Sequence, residues 1–267
     1  MNNLKVGVIQ LNSRGDKEKN LQIIRENIKM AANDGSQLIC LPEYSSYLSD
    51  FEVIENAESL DGYTVNFYKK LSQKHGIYIH CGSFIEKSEE KDRAYNTSLL
   101  FKPKGKNIRR HRKIHLFDVD IPGQFTSKES NKIKPGEKIT SVETEIGNMG
   151  FSICYDLRFP ELYRVLINKG VQVIFVPAAF TMHTGKDHWE ALIRARAIEN
   201  QVYIIAPAQF GKYPKNNECY GNSMVVDPWG TVIARAPNKV GYITVDIDLK
   251  YQNKIKKVMP CLSHAVL

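Results

Sequence analysis

Two hydrophobic periods alternate along this chain. Leu4 to Gln10 (Leu-Lys-Val-Gly-Val-Ile-Gln) is a largely apolar run of strand length. From Asp16 to Asp34 the apolar positions Leu21, Ile24, Ile28 and Ala31 recur at helical spacing, and Gly35 ends the helix. Gln37 to Leu41 predicts a second strand, stopped at Pro42, and Val65 to Gly76 a second helix. Ile77 to Glu86 and Tyr95 to Phe101 predict strands on either side of a charged turn, Ser88 to Arg93. Phe117 to Glu137 carries two prolines, two glycines and no period, which predicts a loop. Such loops tend to carry function on a rigid scaffold.

The second half continues the alternation. Met149 to Cys154 predicts a strand, Pro160 to Gly170 a helix, Val171 to Pro177 a strand, His188 to Asn200 a helix and Gln201 to Pro207 a strand. Ser223–Val226 and Thr231–Ala234 flank Asp227-Pro228-Trp229-Gly230, a turn signal with Pro second and Gly fourth. Gly241 to Ile247 is the last strand expected. The fold class is therefore α/β with mixed sheets. Roughly four helices must cover about ten or more strands, which suits two sheets packed face to face with helices outside. Hairpin-like connections break the strict alternation of a (β/α)₈ barrel. No repeat or linker divides the chain, so residues 1–267 are expected to form a single domain.

Composition narrows the classes. Hydrophobic residues make up 42% and charged residues 25%, enough for a sizeable core in an ordinary globular chain. The N-terminus enters a strand pattern at once, without the basic and apolar regions of a secretory signal. No apolar run approaches the ~18 residues that span a membrane. Cys40, Cys81, Cys154, Cys219 and Cys261 are odd in number and widely spaced, which argues against a disulfide framework or zinc cluster and fits a reducing cytoplasm. Cys40 and Cys81 lie in apolar runs and read as buried small hydrophobes. The net charge of +8 raises nucleic acid as a partner. The densest basic run, Lys104 to Lys113, reads instead as a strand end, a turn and the approach to a site, and no basic face with interleaved aromatics is visible. A solvated basic surface that attracts anionic metabolites is the expectation, with no nucleic-acid or membrane partner.

The candidate chemistry centres on Cys154. An alternating run ends abruptly at this thiol and a helix start follows, a strand–elbow–helix arrangement that lifts a nucleophile out of a sheet. A thiol of pKa ~8.5 needs a base and a cation to act at neutral pH. Glu43 follows Leu41-Pro42 at the end of a buried-looking strand, Lys113 sits between Arg112 and Ile114, and Glu129 lies in Phe125–Ser130. A carboxylate near the thiol can accept its proton, and an ammonium favours thiolate. Each residue also has a plain alternative: a turn glutamate, a solvated lysine, a structural cysteine. A cysteine–histidine pair would call on His111, His115, His183 or His188 as base.

The segments Leu-Pro-Glu-Tyr (41–44), His-Arg-Lys-Ile-His-Leu-Phe (111–117) and Cys-Tyr-Asp-Leu-Arg-Phe-Pro-Glu (154–161) occur in that order. With Phe-Asp-Val-Asp-Ile-Pro-Gly (117–123) and Asp-Pro-Trp-Gly (227–230), they closely resemble the signature segments of the nitrilase superfamily of carbon–nitrogen hydrolases, from Val6 to about Pro260. The resemblance implies an α-β-β-α sandwich, a homodimer with helices packed across the interface, and no metal or cofactor. It assigns Glu43 as general base in place of any histidine, Lys113 as electrophilic stabiliser, Cys154 as nucleophile and Glu129 as a second glutamate that positions Lys113. Lys113 and the backbone N–H of Tyr155 would donate to the oxyanion, and a thioester on Cys154 would be hydrolysed by water.

Segments 180–185, 188–200, 208–211 and 220–230 look most like the Nit-type amidases, and within them the deaminated glutathione amidases. Those cleave N-(4-oxoglutarate)-L-cysteinylglycine to 2-oxoglutarate and cysteinylglycine. The near alternative is ω-amidase, which acts on 2-oxoglutaramate. Both substrates carry a 2-oxo acid, so a carboxylate clamp is expected from the Arg158 guanidinium and the Thr184 hydroxyl. The structural alternatives are an ion pair of Arg158 with Asp156 or Glu161, and a cap or turn role for Thr184. Arg194 and Arg196 are expected to serve packing or the dimer surface. The lysine- and asparagine-rich Gly211–Glu218 segment should shape the pocket rim, and Cys261–Leu267 should pack on a partner subunit.

Overall fold

The computed structural model describes residues 3–104, 109–123, 125–213 and 217–266; parts of the basic run at 104–113 and of the segment 211–218, and residue 267, lie outside that set. Two sheets form the centre. In the first, the spatial order is Gly241–Asp248, Asn3–Gln10, Leu38–Cys40, Tyr78–His80, Ala94–Phe101 and Phe84–Lys87, with Arg109–Arg112 and Ile133–Lys134 also pairing along Ala94–Phe101. In the second it is Ser141–Thr144, Gly147–Phe151, Val173–Phe175, Tyr203–Ala206, Met224–Val226 and Val232–Arg235. Each sheet has three adjacent parallel strands. Helices α1 (Lys17–Asn33) and α2 (Tyr63–His75) link those of the first sheet, and α3 (Pro160–Asn168) and α4 (Met182–Asn200) those of the second. The halves thus share a βαβαβ plan without any repeat in the sequence.

Strand side chains point alternately to opposite faces, and here both faces are buried. Leu4, Val6, Val8, Leu38, Cys40 and Leu100 meet Met149, Phe151, Val173, Phe175, Ile205 and Val225 in the layer between the sheets. The intervening Ile9, Ile39, Ile79, Leu99 and Phe101 face Leu21, Ile24 and Ile28 of α1 and Val65 and Tyr68 of α2. Ile174, Val176, Ile204 and Val226 face Leu162 and Leu166 of α3 and Trp189 and Ile193 of α4. The result is the α-β-β-α sandwich. Among the described residues no helix is long and apolar enough to cross a membrane.

The structure departs from the sequence expectations in five places. The run Ile77–Glu86 is not one strand but two, broken around Gly82, whose φ is +71°. Phe117–Glu137 is not a loop: Asp118–Ile121 and Phe125–Lys128 form a hairpin, followed by a 3₁₀ turn, Glu129–Asn131. Those strands alternate between exposed and half-buried, so they lack an apolar face that a pattern could reveal. Helix α4 begins at Met182, one and a half turns before His188, and Phe210–Tyr213 pairs with Asn217–Tyr220 where only a rim segment was expected. A fifth helix, α5 (Leu249–Val258), is lysine-rich and buries only Gln252 and Ile255. Cys40 and Cys81 are buried as expected.

Candidate active site

In open α/β sheets, ligands gather beyond the carboxyl ends of the parallel strands. Glu43 leaves Leu38–Cys40 at that end, Cys154 leaves Gly147–Phe151, and Ala179 follows Val173–Phe175. Lys113 enters from the antiparallel neighbour Arg109–Arg112. Two glycines allow the approach. A Cβ on Gly82 would stand 1.8 Å from the carbonyl oxygen of Pro42, and one on Gly136 would stand 2.3 Å from that of Arg112. Ser83, next to Gly82, accepts the Tyr44 N–H on its Oγ at 2.9 Å and the Ser45 N–H on its carbonyl at 3.0 Å. Gly136 donates its N–H to the Lys113 carbonyl at 2.7 Å.

Lys113 is the hub. It is 2% exposed, and its Nζ donates to Glu43 Oε1 at 3.0 Å and to Glu129 Oε1 and Oε2 at 3.1 and 2.9 Å. Burial alone would lower its pKa, but Glu129, Glu43 and Cys154 together outweigh burial and push it well above the ordinary lysine value. The two carboxylates thus favour the ammonium form. Glu43 Oε1 also accepts from Asn96 Nδ2 at 2.8 Å, and Oε2 from the Ala179 N–H at 2.8 Å. Glu129 accepts from the Tyr44 hydroxyl at 2.9 Å and the Phe117 N–H at 2.6 Å.

Cys154 occupies the left-handed region, with φ +48°, and its N–H donates to the Pro177 carbonyl at 2.9 Å. A non-glycine residue held there stores of order 1–3 kcal/mol of strain. The segment after it is a 3₁₀ turn, Cys154–Arg158, and α3 starts only at Pro160. Asp156 braces the elbow by accepting the N–H groups of Ile153 and His115, each at 2.9 Å. The Cys154 thiol is raised well above its ordinary value, by burial first and then by Glu43, against the opposing pull of Lys113. Lys113 pulls the sulfur towards thiolate, as expected, but burial and Glu43 together outweigh that pull and favour the thiol.

These residues open onto one cavity of about 580 Å³, which Glu43, Lys113, Glu129 and Cys154 all line. Hairpin residues Phe125–Lys128 form part of its wall, with Tyr213 and Asn217 from the second hairpin.

The family model for carbon–nitrogen hydrolases matches residues 5–257. The chain belongs to the carbon–nitrogen hydrolase family. This hydrolase is 41% identical over 262 residues to the deaminated glutathione amidase of Synechocystis sp., covering 97% of this chain and 96% of the relative. It is 39% identical over 265 residues to that of Homo sapiens, covering 97% and 81%. Among solved structures, the Caenorhabditis elegans NitFhit protein matches with a TM-score of 0.94 at 37% identity, over 100% of this chain and 66% of that one. Saccharomyces cerevisiae Nit3, a member of branch 10 of the nitrilase superfamily, matches with a TM-score of 0.88 at 33% identity, over 97% and 95%.

The remaining candidates of the hydrolase lie outside the cavity wall. Half-buried Arg158 places its guanidinium 5.7 Å from the Tyr155 ring and 5.3 Å from that of Phe180, and 3.3 Å from His188 Nδ1. Among the described residues it forms no ion pair, so the alternative pairing with Asp156 or Glu161 is not made. Thr184 Oγ1 is 3.1 Å from Oγ1 of Thr181, which does line the cavity. Arg196 is buried, donates to the Leu157 carbonyl at 3.0 Å and serves packing; Arg194 donates to the Gly230 carbonyl at 2.8 Å. His115 and His111 both face Asp156, and no histidine among the described residues lines the cavity.

Two contributors escaped the sequence reading, Tyr44 and Asn96. The signal for Asn96 was its place in a strand of wholly buried residues, Ala94–Phe101, where a polar side chain must have a partner. Among the described residues no group of three or more His, Cys, Asp and Glu could hold a metal ion.

Proposed function

We propose that this hydrolase cleaves the amide of a 2-oxo acid through a thioester on Cys154, and that deaminated glutathione is its preferred substrate. The observation that carries this reading is the convergence of Glu43, Lys113, Glu129 and Cys154 on one cavity. Glu43 takes the thiol proton as Sγ attacks the amide carbonyl. The oxyanion is met by the Lys113 ammonium and the N–H of Tyr155, which lies in the first turn after the nucleophile, where N–H groups have no partner within the helix. Glu43 hands its proton to the departing amine. It then deprotonates water, which attacks the thioester and releases the carboxylic acid and the thiol. Glu129 and Tyr44 hold Lys113 in place. The choice of substrate is supported by near-full-length relatives that carry the deaminated glutathione amidase name.

Arg158 and Thr184 are proposed to clamp the 2-oxo acid carboxylate. A guanidinium without a carboxylate partner among the described residues, and the contact of the Thr184 hydroxyl with Thr181, which lines the cavity, favour this reading. Residues 1–267 are read as one domain, because the first and last strands pair from Asn3↔Asp248 to Gln10↔Gly241. A cytoplasmic homodimer is also proposed. Free cysteines fit a reducing compartment, and exposed Val165 on α3, Ile198 on α4 and Trp229 offer an apolar face for a second copy. Light scattering on the purified chain tests the dimer.

The function is tested by comparing kcat/KM for deaminated glutathione, 2-oxoglutaramate, a simple nitrile and N-carbamoyl amino acids. Deaminated glutathione should lead by at least about tenfold, or ~1.4 kcal/mol in transition-state binding. A lead for 2-oxoglutaramate would make the protein an ω-amidase.

A further inference from the structure

The catalytic group occupies only part of the cavity. Its volume of about 580 Å³ lies in the range of ~300–1,000 Å³ that holds a drug-sized ligand. Besides Lys113, two lysines line it: Lys128 at the end of the hairpin strand Phe125–Lys128, and Lys132, just beyond the 3₁₀ turn that carries Glu129. Both are exposed, in contrast to buried Lys113. Lys132 Nζ donates to the backbone carbonyl of Asp50 at 2.7 Å, an acceptor that leaves the positive charge unneutralised. Among the described residues Lys128 forms no ion pair; Asp118, opposite it in the hairpin, is held by the N–H and hydroxyl of Ser130. The Asp50 carboxylate also faces this end, where Asn217 Nδ2 donates to it at 3.2 Å.

We propose that Lys128 and Lys132 form a subsite for the carboxylate at the far end of the leaving group, so that the enzyme selects amides of a peptide-like amine with a free C-terminus over primary amides. This rests on the amidase reading above and extends it to the amine side. The proposed acyl clamp, Arg158 and Thr184, lies behind Phe180 and Thr181, whereas the lysine pair flanks Glu129. A two-residue leaving group reaches about 7 Å from the scissile bond at ~3.3–3.6 Å per residue. Lys128 and Lys132 stand one and three residues from Glu129, whose carboxylate binds Lys113, and they line the same cavity as Cys154. Ammonia, the leaving group of a primary amide, has nothing to place there.

The test uses the full-length K128A, K132A and double variants and reads the ratio of kcat/KM for deaminated glutathione to that for 2-oxoglutaramate. The double variant should lower the ratio by about tenfold or more through KM, about 1.4 kcal/mol, and the double arginine variant should retain it. The same loss should appear in the wild type when the glycine carboxylate is converted to an amide. An unchanged ratio in the double variant overturns the subsite. Calorimetric binding of cysteinylglycine and its C-terminal amide to the wild type and the double variant separates this from a wrong substrate. A wild type that favours 2-oxoglutaramate yet binds cysteinylglycine through the lysines refutes the substrate reading alone. Equal binding of the acid and the amide refutes the lysine pair.

Discussion

Lys113 donates its backbone N–H to the carbonyl of Asn96 at 2.9 Å, and the two side chains bind the same atom, Oε1 of Glu43, at 3.0 and 2.8 Å. Neighbouring strands thus act as a ruler that presents an ammonium and an amide to one carboxylate. Removing the ammonium from this buried group leaves two carboxylates, Glu43 and Glu129, without their cation.

Lys113→Met should therefore destabilise the protein by about 3–5 kcal/mol, because Glu43 and Glu129 would face each other without a cation. At ~2–4 °C per kcal/mol for a chain of this size, the Tm should fall by roughly 6–20 °C. Adding Glu43→Gln should recover part of that stability and none of the activity. Thermal melts of the single and double variants check both statements.

Glu43→Gln alone should abolish turnover while preserving the fold, since Glu129 still pairs with Lys113. It should also make the sulfur more reactive at neutral pH. Glu43 raises the Cys154 pKa and Lys113 lowers it, so losing the carboxylate shifts the balance towards thiolate. Iodoacetamide should modify Cys154 faster in the inactive variant than in the wild type. A slower reaction would remove Glu43 as the group that holds the thiol proton.

Gly82→Ala and Gly76→Ala form a matched pair. Both glycines have positive φ, +71° and +65°. At Gly76 a Cβ meets nothing within 4 Å, so the substitution should cost only the left-handed penalty of about 1–2 kcal/mol. At Gly82 the Cβ would collide with the Pro42 carbonyl, and the loop that carries Glu43 must move. Gly82→Ala should lose both stability and kcat, whereas Gly76→Ala should lose stability alone, as urea titrations and initial rates will reveal.

Stability should decline towards both pH extremes. His80 is buried, and burial, aided by His111, pushes its pKa down to about 3. The native state keeps it neutral while the unfolded chain gains a proton below ~6.5. Its contribution is complete above that value and is lost as pH falls from ~6.5 to ~3, by up to ~1.4 kcal/mol per unit. Buried Cys81 has the opposite sign. Burial pushes its pKa up to about 12, so its contribution is complete below the ordinary thiol value and is lost as pH rises from ~8.5 towards ~12. Denaturant midpoints across pH should bend on both sides, and Cys81→Ala should flatten the alkaline limb.

By itself the sequence determined the layered α/β fold, because strands buried on both faces read as apolar runs and covering helices as amphipathic ones. It also marked Glu43 and Cys154, which stand where apolar runs stop, and Lys113, which closes a basic run. Tertiary structure alone decided the rest. The hairpin at Asp118–Lys128 has no apolar period, and the first turns of α4 pack against Tyr220 so closely that a Cβ at Gly185 would meet it at 2.4 Å. The proton on Cys154 was likewise beyond the sequence. Burial and a carboxylate contact overrule a nearby ammonium, and both follow only from residues far apart in the chain packing around one cavity.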